Sequence, residues 1–161
     1  PLLLQLFMIF YAVPIIYLNA TGKTFQIDPM ICAFITFSLN STAYLAEIIR
    51  SAIESIDHGQ MEAAKALGMN YHQAMMKIII PQTFKRLVAP IGNELIMLLK
   101  DTSLVSTIAL FDLLRTVKTM ASATGNWIYY VYAAVVYLFL TTILQVLFDK
   151  LEMKFGIYEK R

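Results

Sequence analysis

Long apolar stretches separated by shorter polar segments make up most of the chain. The most uniform stretch, residues 127–148, contains no charged side chain and begins with the aromatic cluster WIYY. A helix needs about 20 mostly apolar residues to cross a bilayer, and Trp and Tyr favour the interfaces, so this stretch predicts a membrane-spanning helix. Less uniform stretches predict three further spans at residues 1–18, 29–49 and 87–110. The pattern therefore predicts an all-α, polytopic bundle of membrane helices that forms one domain over residues 1–161.

The composition indicates that lipid is the main solvent of this bundle. Hydrophobic residues make up 58% of the chain and charged residues 15%, whereas a soluble domain carries about 25% charged residues. The net charge of +2 gives no support to a nucleic-acid partner. The single cysteine, Cys32, lies in an apolar run without a disulfide or CxxC partner, which predicts a packing role. The opening PLLLQLF has no Met and no basic segment before it, so we expect an N-terminal truncation.

The distribution of Lys and Arg predicts the orientation of the bundle. The segment 50–86 and the tail after Phe148 together carry nine basic residues, and the other two connections carry three. Because basic residues accumulate in cytoplasmic loops, we expect the segment 50–86 and the C-terminus to face the cytoplasm. The four predicted spans place both segments on the same side of the membrane. The nine residues are Arg50, Lys65, Lys77, Lys85, Arg86, Lys150, Lys154, Lys160 and Arg161, and the three are Lys23, Arg115 and Lys118.

The polar stretch GQMEAAKALGMNYHQAMMKIIIPQ lies between the second and third predicted spans and contains strong helix formers. It predicts a first helix over QMEAAKAL that ends at Gly68, a residue suited to the C′ position. Asn70 can cap a second helix over YHQAMMKIII, which we expect to end at Pro81. Ala63 and Ala64 would give the first helix a low-profile side able to enter a groove on another protein. On spacing alone, an amphipathic helix resting on the lipid headgroups is an equally good interpretation.

The stretch EAAKALG (residues 62–68), followed after nine residues by Ile78 and Pro81, resembles the EAA loop of binding-protein-dependent ABC importer permeases. Ile80 stands where the family pattern carries Leu. The stretches YLAEIIRSAIESIDHGQMEAAKALGM and GNELIMLLKDTSLVS and the opening PLLLQLF resemble the polar amino-acid uptake branch of that family, so the resemblance covers nearly the whole chain. Members of the family have about one further N-terminal span, in agreement with the expected truncation.

The resemblance implies a type I ABC importer transmembrane fold and a mechanical role for the loop. In such importers the EAA helix docks in a cleft of a separate ATPase subunit, whose ATP-driven closure turns two paired permeases from inward-facing to outward-facing. ATP and Mg²⁺ would be bound by that partner, and no cofactor by this chain. The resemblance also implies a second permease subunit, an extracytoplasmic solute-binding protein, a polar L-amino acid substrate and the bacterial inner membrane. The implied coupling residues are Gln60, Glu62, Ala63, Ala64 and Gly68.

Charged residues interrupt the third predicted span. Ionisable residues at membrane depth are costly and tend to face a cavity or one another. Asn93 and Lys100 are seven residues apart, as are Glu94 and Asp101, so the four would form one polar stripe on a helix. A zwitterionic amino acid needs a cation for its carboxylate and an acceptor for its ammonium, and Lys100 with either acidic residue would supply both. These residues are candidate substrate-path residues, although an internal Lys100–carboxylate pair or a shallow position explains each of them as well.

No motif in the sequence is complete enough to indicate catalysis or metal binding. TGKT at residues 21–24 resembles the end of a phosphate-binding loop, but the earlier glycine and the preceding strand of such a loop are absent. His58 and His72 lack both the spacing and the accompanying ligands of a metal site. No nucleophile–base arrangement is recognisable in the sequence. We therefore expect neither a catalytic nor a metal site, and not an enzyme.

Two functions of other classes remain as alternatives. A secondary transporter or channel would use the charged third span as an ion path, and its uptake would collapse with the ion gradient at constant ATP. A non-transporting membrane anchor of a signalling complex would use the loop only for docking, and its vesicles would not accumulate amino acid on addition of ATP. The spacing of the EAA loop favours the importer over both.

Overall fold

The structure is a computed structural model that describes residues 1–155, and every regular element in this part of the chain is helical. The α-helices are α1 (Leu2–Phe7), α2 (Val13–Thr21), α3 (Pro29–Glu54), α4 (His58–Ala66), α5 (Tyr71–Ala74), α6 (Ile80–Asp101), α7 (Leu113–Thr124) and α8 (Ile128–Phe155). The predicted all-α class is confirmed. Lys160 and Arg161, which were counted with the cytoplasmic tail, lie outside the described residues.

Three helical segments of the described chain are long and apolar enough to cross a membrane: Leu2–Thr21, Pro29–Glu54 and Ile128–Phe155. They correspond to the first, second and fourth predicted spans. Only 6 to 17% of the residues in their most apolar windows are buried within the chain. Lipid or other protein must therefore cover most of their apolar surface.

The third predicted span, 87–110, is not among these segments. Its residues form the second half of α6 and a 3-10 helical segment, Thr102–Ile108, that follows α6 directly. The charged residues Lys100 and Asp101 lie at this junction and lower the hydropathy of the stretch. The number of four spans therefore stays a prediction.

The described chain divides into two compact units, of which the first comprises Pro1–Thr42 and Met97–Thr141. Its core is apolar and combines α1, the start of α3 and the 3-10 segment. The buried residues of that core are Leu6, Cys32, Ala33, Val105 and Ile108. Cys32 is completely buried, so its predicted packing role is confirmed.

The second unit comprises Ala43–Ile96 and the chain from Thr142 onward. In this unit Gly92 of α6 lies directly against Phe148 of α8. A Cβ atom placed on Gly92 would lie 2.6 Å from Cγ and 2.9 Å from Cβ of Phe148. These atoms are close to the Phe148 backbone and cannot swing away, so the two helices approach each other at a point where only glycine fits.

Two π-helical segments, Met8–Ala12 and Met75–Ile79, each precede a helix whose second residue is proline, Pro14 in α2 and Pro81 in α6. A proline has no N–H and clashes with the carbonyl four residues earlier, and the wider hydrogen-bonding pattern of a π segment accommodates both defects. The prediction that the second loop helix ends at Pro81 is therefore wrong. The helical path that begins at Tyr71 continues through this proline to the end of α6.

Candidate functional site

The two helices of the polar loop each begin with a side-chain cap. The Asp57 carboxylate accepts a hydrogen bond from the Gly59 N–H at 2.6 Å at the start of α4. Asn70 Oδ1 accepts from the Gln73 N–H at 2.9 Å, and Gln73 Oε1 accepts from the Asn70 N–H at 3.0 Å. This reciprocal pair is a capping box, which satisfies two backbone donors at once. The predicted cap at Asn70 is confirmed.

The end of α4 is closed by backbone hydrogen bonds around Gly68. The Gly68 N–H donates to the Lys65 carbonyl at 2.9 Å, and the Met69 N–H donates to the Ala64 carbonyl at 3.1 Å. Together they form a Schellman motif, which requires a left-handed residue at the C′ position. Gly68 occupies that position with φ of 80°. The prediction that Gly68 ends the first loop helix is confirmed, and the side chains of α4 are held in a defined orientation.

The packing of α4 decides which of the predicted coupling residues reach the surface. Helix α4 packs against α5 and against the π segment Met75–Ile79. Ala64 is only 1% exposed, so its methyl group faces its own chain. It therefore does not share the open side that was predicted for the alanine pair. The other predicted coupling residues are exposed: Gln60, Glu62, Ala63 and Gly68.

Two large apolar side chains beside these residues were not among the coupling residues predicted from the sequence. Leu67 is 83% exposed and Tyr71 is 65% exposed, one on each side of the glycine turn. Both lie next to the exposed residues of α4, so they extend the candidate coupling surface with apolar area. The sequence feature that could have indicated the exposure of Leu67 is its position directly before a C′ glycine. The helix ends there, so the side chain need not pack against the neighbouring helix.

A short network of charges lies at the end of α3, next to the loop. The Arg50 guanidinium pairs with the carboxylates of Glu47 and Glu54, the latter at 2.6 Å. All three side chains are more than half exposed, so the pairs contribute little to stability. In the same unit Arg86 of α6 donates from Nη1 to Ser55 Oγ at 3.0 Å. This bond ties the beginning of the loop to its end.

The four candidate substrate-path residues all lie on α6, but they differ in exposure. Asn93 and Lys100 are exposed, whereas Glu94 and Asp101 are partly buried. Lys100 and Asp101 occupy the last turn of α6, and within residues 1–155 no ion pair joins these two side chains. A cation in the last turn of a helix is favoured by the helix dipole, which gives Lys100 a local reason for its position. Its ammonium group is nevertheless available to a ligand.

Comparison with known proteins assigns the chain to a family. Residues 1–156 match the family described as binding-protein-dependent transport system inner membrane component. The arginine transport system permease protein ArtQ of Bacillus subtilis is 39% identical over 155 residues, which cover 96% of this chain and 68% of ArtQ. The L-cystine transport system permease protein TcyB of the same organism is 37% identical over 160 residues, which cover 98% of this chain and 65% of TcyB.

A solved structure of an amino acid ABC transporter with histidines has the same fold, with a TM-score of 0.85 and 35% identity. The match covers 96% of this chain and 69% of that chain. The chain thus spans about two thirds of the length of these relatives. The family predicted from the EAA loop and the predicted fold class are both confirmed. The chain belongs to the inner membrane components of binding-protein-dependent transport systems, among the permeases of amino-acid ABC transporters.

Proposed function

We propose that the chain acts as the permease subunit of an ATP-driven importer of a polar L-amino acid and is coupled to a separate ATPase through the loop 50–86. The observation that carries the coupling role is the exposed side of α4 and of the turn that follows it, where Glu62, Ala63 and Leu67 reach the surface. Both ends of this helix are closed by hydrogen bonds, so it can transmit a displacement as a rigid body. The relatives named for arginine and L-cystine transport support a polar amino acid as the substrate.

Motion of α4 would reach the membrane part through Ala64. Ala64 is buried, and α4 packs against α5, which begins the helical path from Tyr71 to Asp101. A push on α4 would therefore displace a long helical path rather than a flexible loop. In this proposal Ala64 positions the coupling helix, whereas Gln60, Glu62, Ala63 and Gly68 contact the ATPase.

The substrate path would use the polar residues of α6. Lys100 would attract the carboxylate of the amino acid, and Glu94 or Asp101 would accept from its ammonium group. Asn93 would contribute an amide that can donate and accept hydrogen bonds. The presence of four polar residues in a stretch predicted to lie at membrane depth supports this assignment.

The partners follow from the family and from the apolar surface. We propose a second permease subunit, an extracytoplasmic solute-binding protein and membrane lipid around the exposed spans, with ATP and Mg²⁺ bound by the ATPase. The dependence on a binding protein is part of the description of the family. The mostly unburied apolar windows of the three spanning helices support contact with lipid and with a second permease.

The proposed orientation has the loop 50–86 and the C-terminus in the cytoplasm, as the nine-to-three distribution of basic residues favours. A Lys65→Cys variant of the full chain should react with a membrane-impermeant maleimide in inside-out vesicles and stay unlabelled in intact cells. Position 65 is exposed, and the native Cys32 is completely buried, so the label should report on position 65 alone. Labelling in intact cells would contradict the orientation.

The transport proposal is tested with the full chain reconstituted in proteoliposomes with its ATPase and binding protein. Wild-type vesicles should accumulate a radiolabelled polar amino acid only when ATP is supplied to the ATPase. A Lys100→Met variant should lower uptake roughly tenfold to a hundredfold, because one charge-assisted hydrogen bond to the substrate is lost. The measured quantities are initial uptake rate and half-saturating substrate concentration over a panel that includes arginine, histidine and cystine.

Lys23→Met is the matched control, since it removes an exposed lysine that lies outside α6. The control should transport like the wild type, and the Lys100→Met permease should still copurify with the ATPase. Uptake that follows an ion gradient at constant ATP would contradict the importer and indicate a secondary transporter. Unchanged flux and affinity in Lys100→Met would remove this residue from the substrate path while leaving the coupling proposal intact.

A further inference from the structure

A groove in the first unit is lined almost entirely by apolar atoms. Its volume is about 210 Å³, and it is partly open to the surroundings. Met30, Phe34 and Phe37 of α3 form one wall, because their spacing of four and three residues places them on one face of the helix. Val105 and Phe111, from the chain that follows α6, form the other wall. An occupant of this groove must itself be apolar over the length of two helical turns.

The groove lies at the beginning of a helix that is long and apolar enough to cross a membrane, Pro29–Glu54. Two of the aromatic side chains that line the groove are largely exposed: Phe34 is 67% exposed and Phe111 is 85% exposed. The aromatic residues Trp127 and Tyr130 at the start of α8 are also exposed, and such residues favour the level of the lipid headgroups. The beginning of a spanning helix lies near the level where the hydrocarbon of a bilayer meets its headgroups, so the groove lies near that level.

A cation with unusual surroundings lies at the rim of the groove. The guanidinium carbon of Arg115 lies 4.6 Å from the ring centroid of Phe111. Its Nη1 atom is buried and has no hydrogen-bond acceptor among the described residues. Arg115 also lies in the first turn of α7, three residues after the cap residue Asp112, where the helix dipole disfavours a cation. The helix dipole therefore gives no reason for an arginine here. The contact with the Phe111 ring favours the guanidinium locally, and an external anion would pair the charge of this partly exposed residue.

We propose that the groove and Arg115 together bind one anionic phospholipid, whose acyl chain lies along α3 and whose phosphate accepts hydrogen bonds from the part of the Arg115 guanidinium that is not buried. Arginine is suited to phosphate because its planar fork can donate two parallel hydrogen bonds. Lys118, one turn further along α7 and exposed, adds positive charge on the same side of the helix. A free phosphate ion would leave the groove empty, and an apolar helix of another protein would leave the guanidinium unpaired. A phospholipid satisfies both features, and its binding does not depend on the ATPase.

The test uses the full chain in its complex with the ATPase, purified in detergent and depleted of lipid. Phosphatidylglycerol and phosphatidylcholine are added at equal concentration, and native mass spectrometry counts the lipids that are retained. The wild type should retain phosphatidylglycerol in preference, and Arg115→Gln should lower this retention roughly tenfold. Phe111→Ala should lower it as well, because the platform under the guanidinium and one wall of the groove are lost. Lys23→Gln removes a charge outside the groove and should retain lipid like the wild type.

Several results would overturn the proposal. One is equal retention of the two lipids by the wild type, and another is undiminished retention of phosphatidylglycerol by Arg115→Gln. If Arg115→Gln does not assemble, the exposed Phe111→Ala decides in the same way. Displacement of the lipid by inorganic phosphate alone would show a simple anion site. A disulfide between two copies of a Phe111→Cys variant in the presence of lipid would show that a second permease covers the groove. If the wild-type complex retains phosphatidylglycerol in preference but shows no ATP-dependent uptake, only the transport proposal is contradicted.

Discussion

A Gly68→Val variant should lose ATP-dependent uptake and copurification with the ATPase by roughly tenfold or more, while its membrane helices still fold. Gly68 has φ of 80°, and an L-residue in the left-handed region costs about 1–2 kcal/mol, more when it is β-branched. The Schellman motif would open to relieve this strain, and the Met69–Ala64 hydrogen bond would break. The orientation of Leu67 and of the exposed side of α4 would then no longer be defined. Uptake into proteoliposomes and pull-down of the ATPase measure both effects.

The chain contains a matched control for this variant. Gly125 ends α7 with φ of 67°, and no atom lies within 4 Å of a Cβ placed on it, as is also true of Gly68. Gly125→Val therefore introduces the same backbone strain without steric contact, at a position outside the loop. It should reduce stability to a similar extent and leave the binding of the ATPase unchanged.

A second variant separates the backbone from the side chain. Asn tolerates the left-handed region far better than other residues, so Gly68→Asn should keep most of the coupling. Normal pull-down and uptake by Gly68→Val would remove the glycine turn from the coupling site. Equal losses in Gly68→Val and Gly125→Val would show that the effect is general destabilisation and not coupling.

The ends of the loop helices could be predicted from sequence because local chemistry determines them. A glycine that can adopt a left-handed φ and an Asn–Gln pair three residues apart act through hydrogen bonds within one turn. The continuation of the helix through Pro81 could not be predicted in the same way. Proline was taken as a stop signal, but the π segment before it removes the conflict, and no residue type in the segment marks this change.

The burial of Ala64 also escaped prediction, because it depends on the packing of α4 against α5 and the π segment. Two adjacent alanines on a helix point about 100° apart, so a contact with one face can cover one and leave the other open. The spacing within α4 does not determine which of the two alanines is covered. The groove beside Arg115 could not be predicted for the same reason, because residues far apart in the sequence form its walls. Family, fold class and membrane location were predictable because they rest on motifs and on long apolar runs.

A Gly92→Val variant should lose much of its stability, because α6 and α8 leave no room for a side chain at this position. A Cβ atom at position 92 would lie 2.6 Å from Phe148 Cγ, and valine adds two methyl groups beyond it. Overpacking of this kind costs about 3 kcal/mol. On the scale of a domain of this size, the unfolding temperature should fall by about 6–12 °C. Thermal unfolding of the full-length complex in detergent, followed by loss of the monodisperse peak, measures the change.

The companion variant Phe148→Ala identifies the contact responsible. Removal of the ring leaves a cavity and lowers stability by itself, but it also makes room for the valine at position 92. The double variant should therefore lose less stability than the sum of the two single losses, by about 1 kcal/mol or more. If the losses are additive, or if Gly92→Val unfolds at the wild-type temperature, α6 and α8 do not meet at this glycine. A less-than-additive result would show that Gly92 is required by the close approach of the two helices in the second unit.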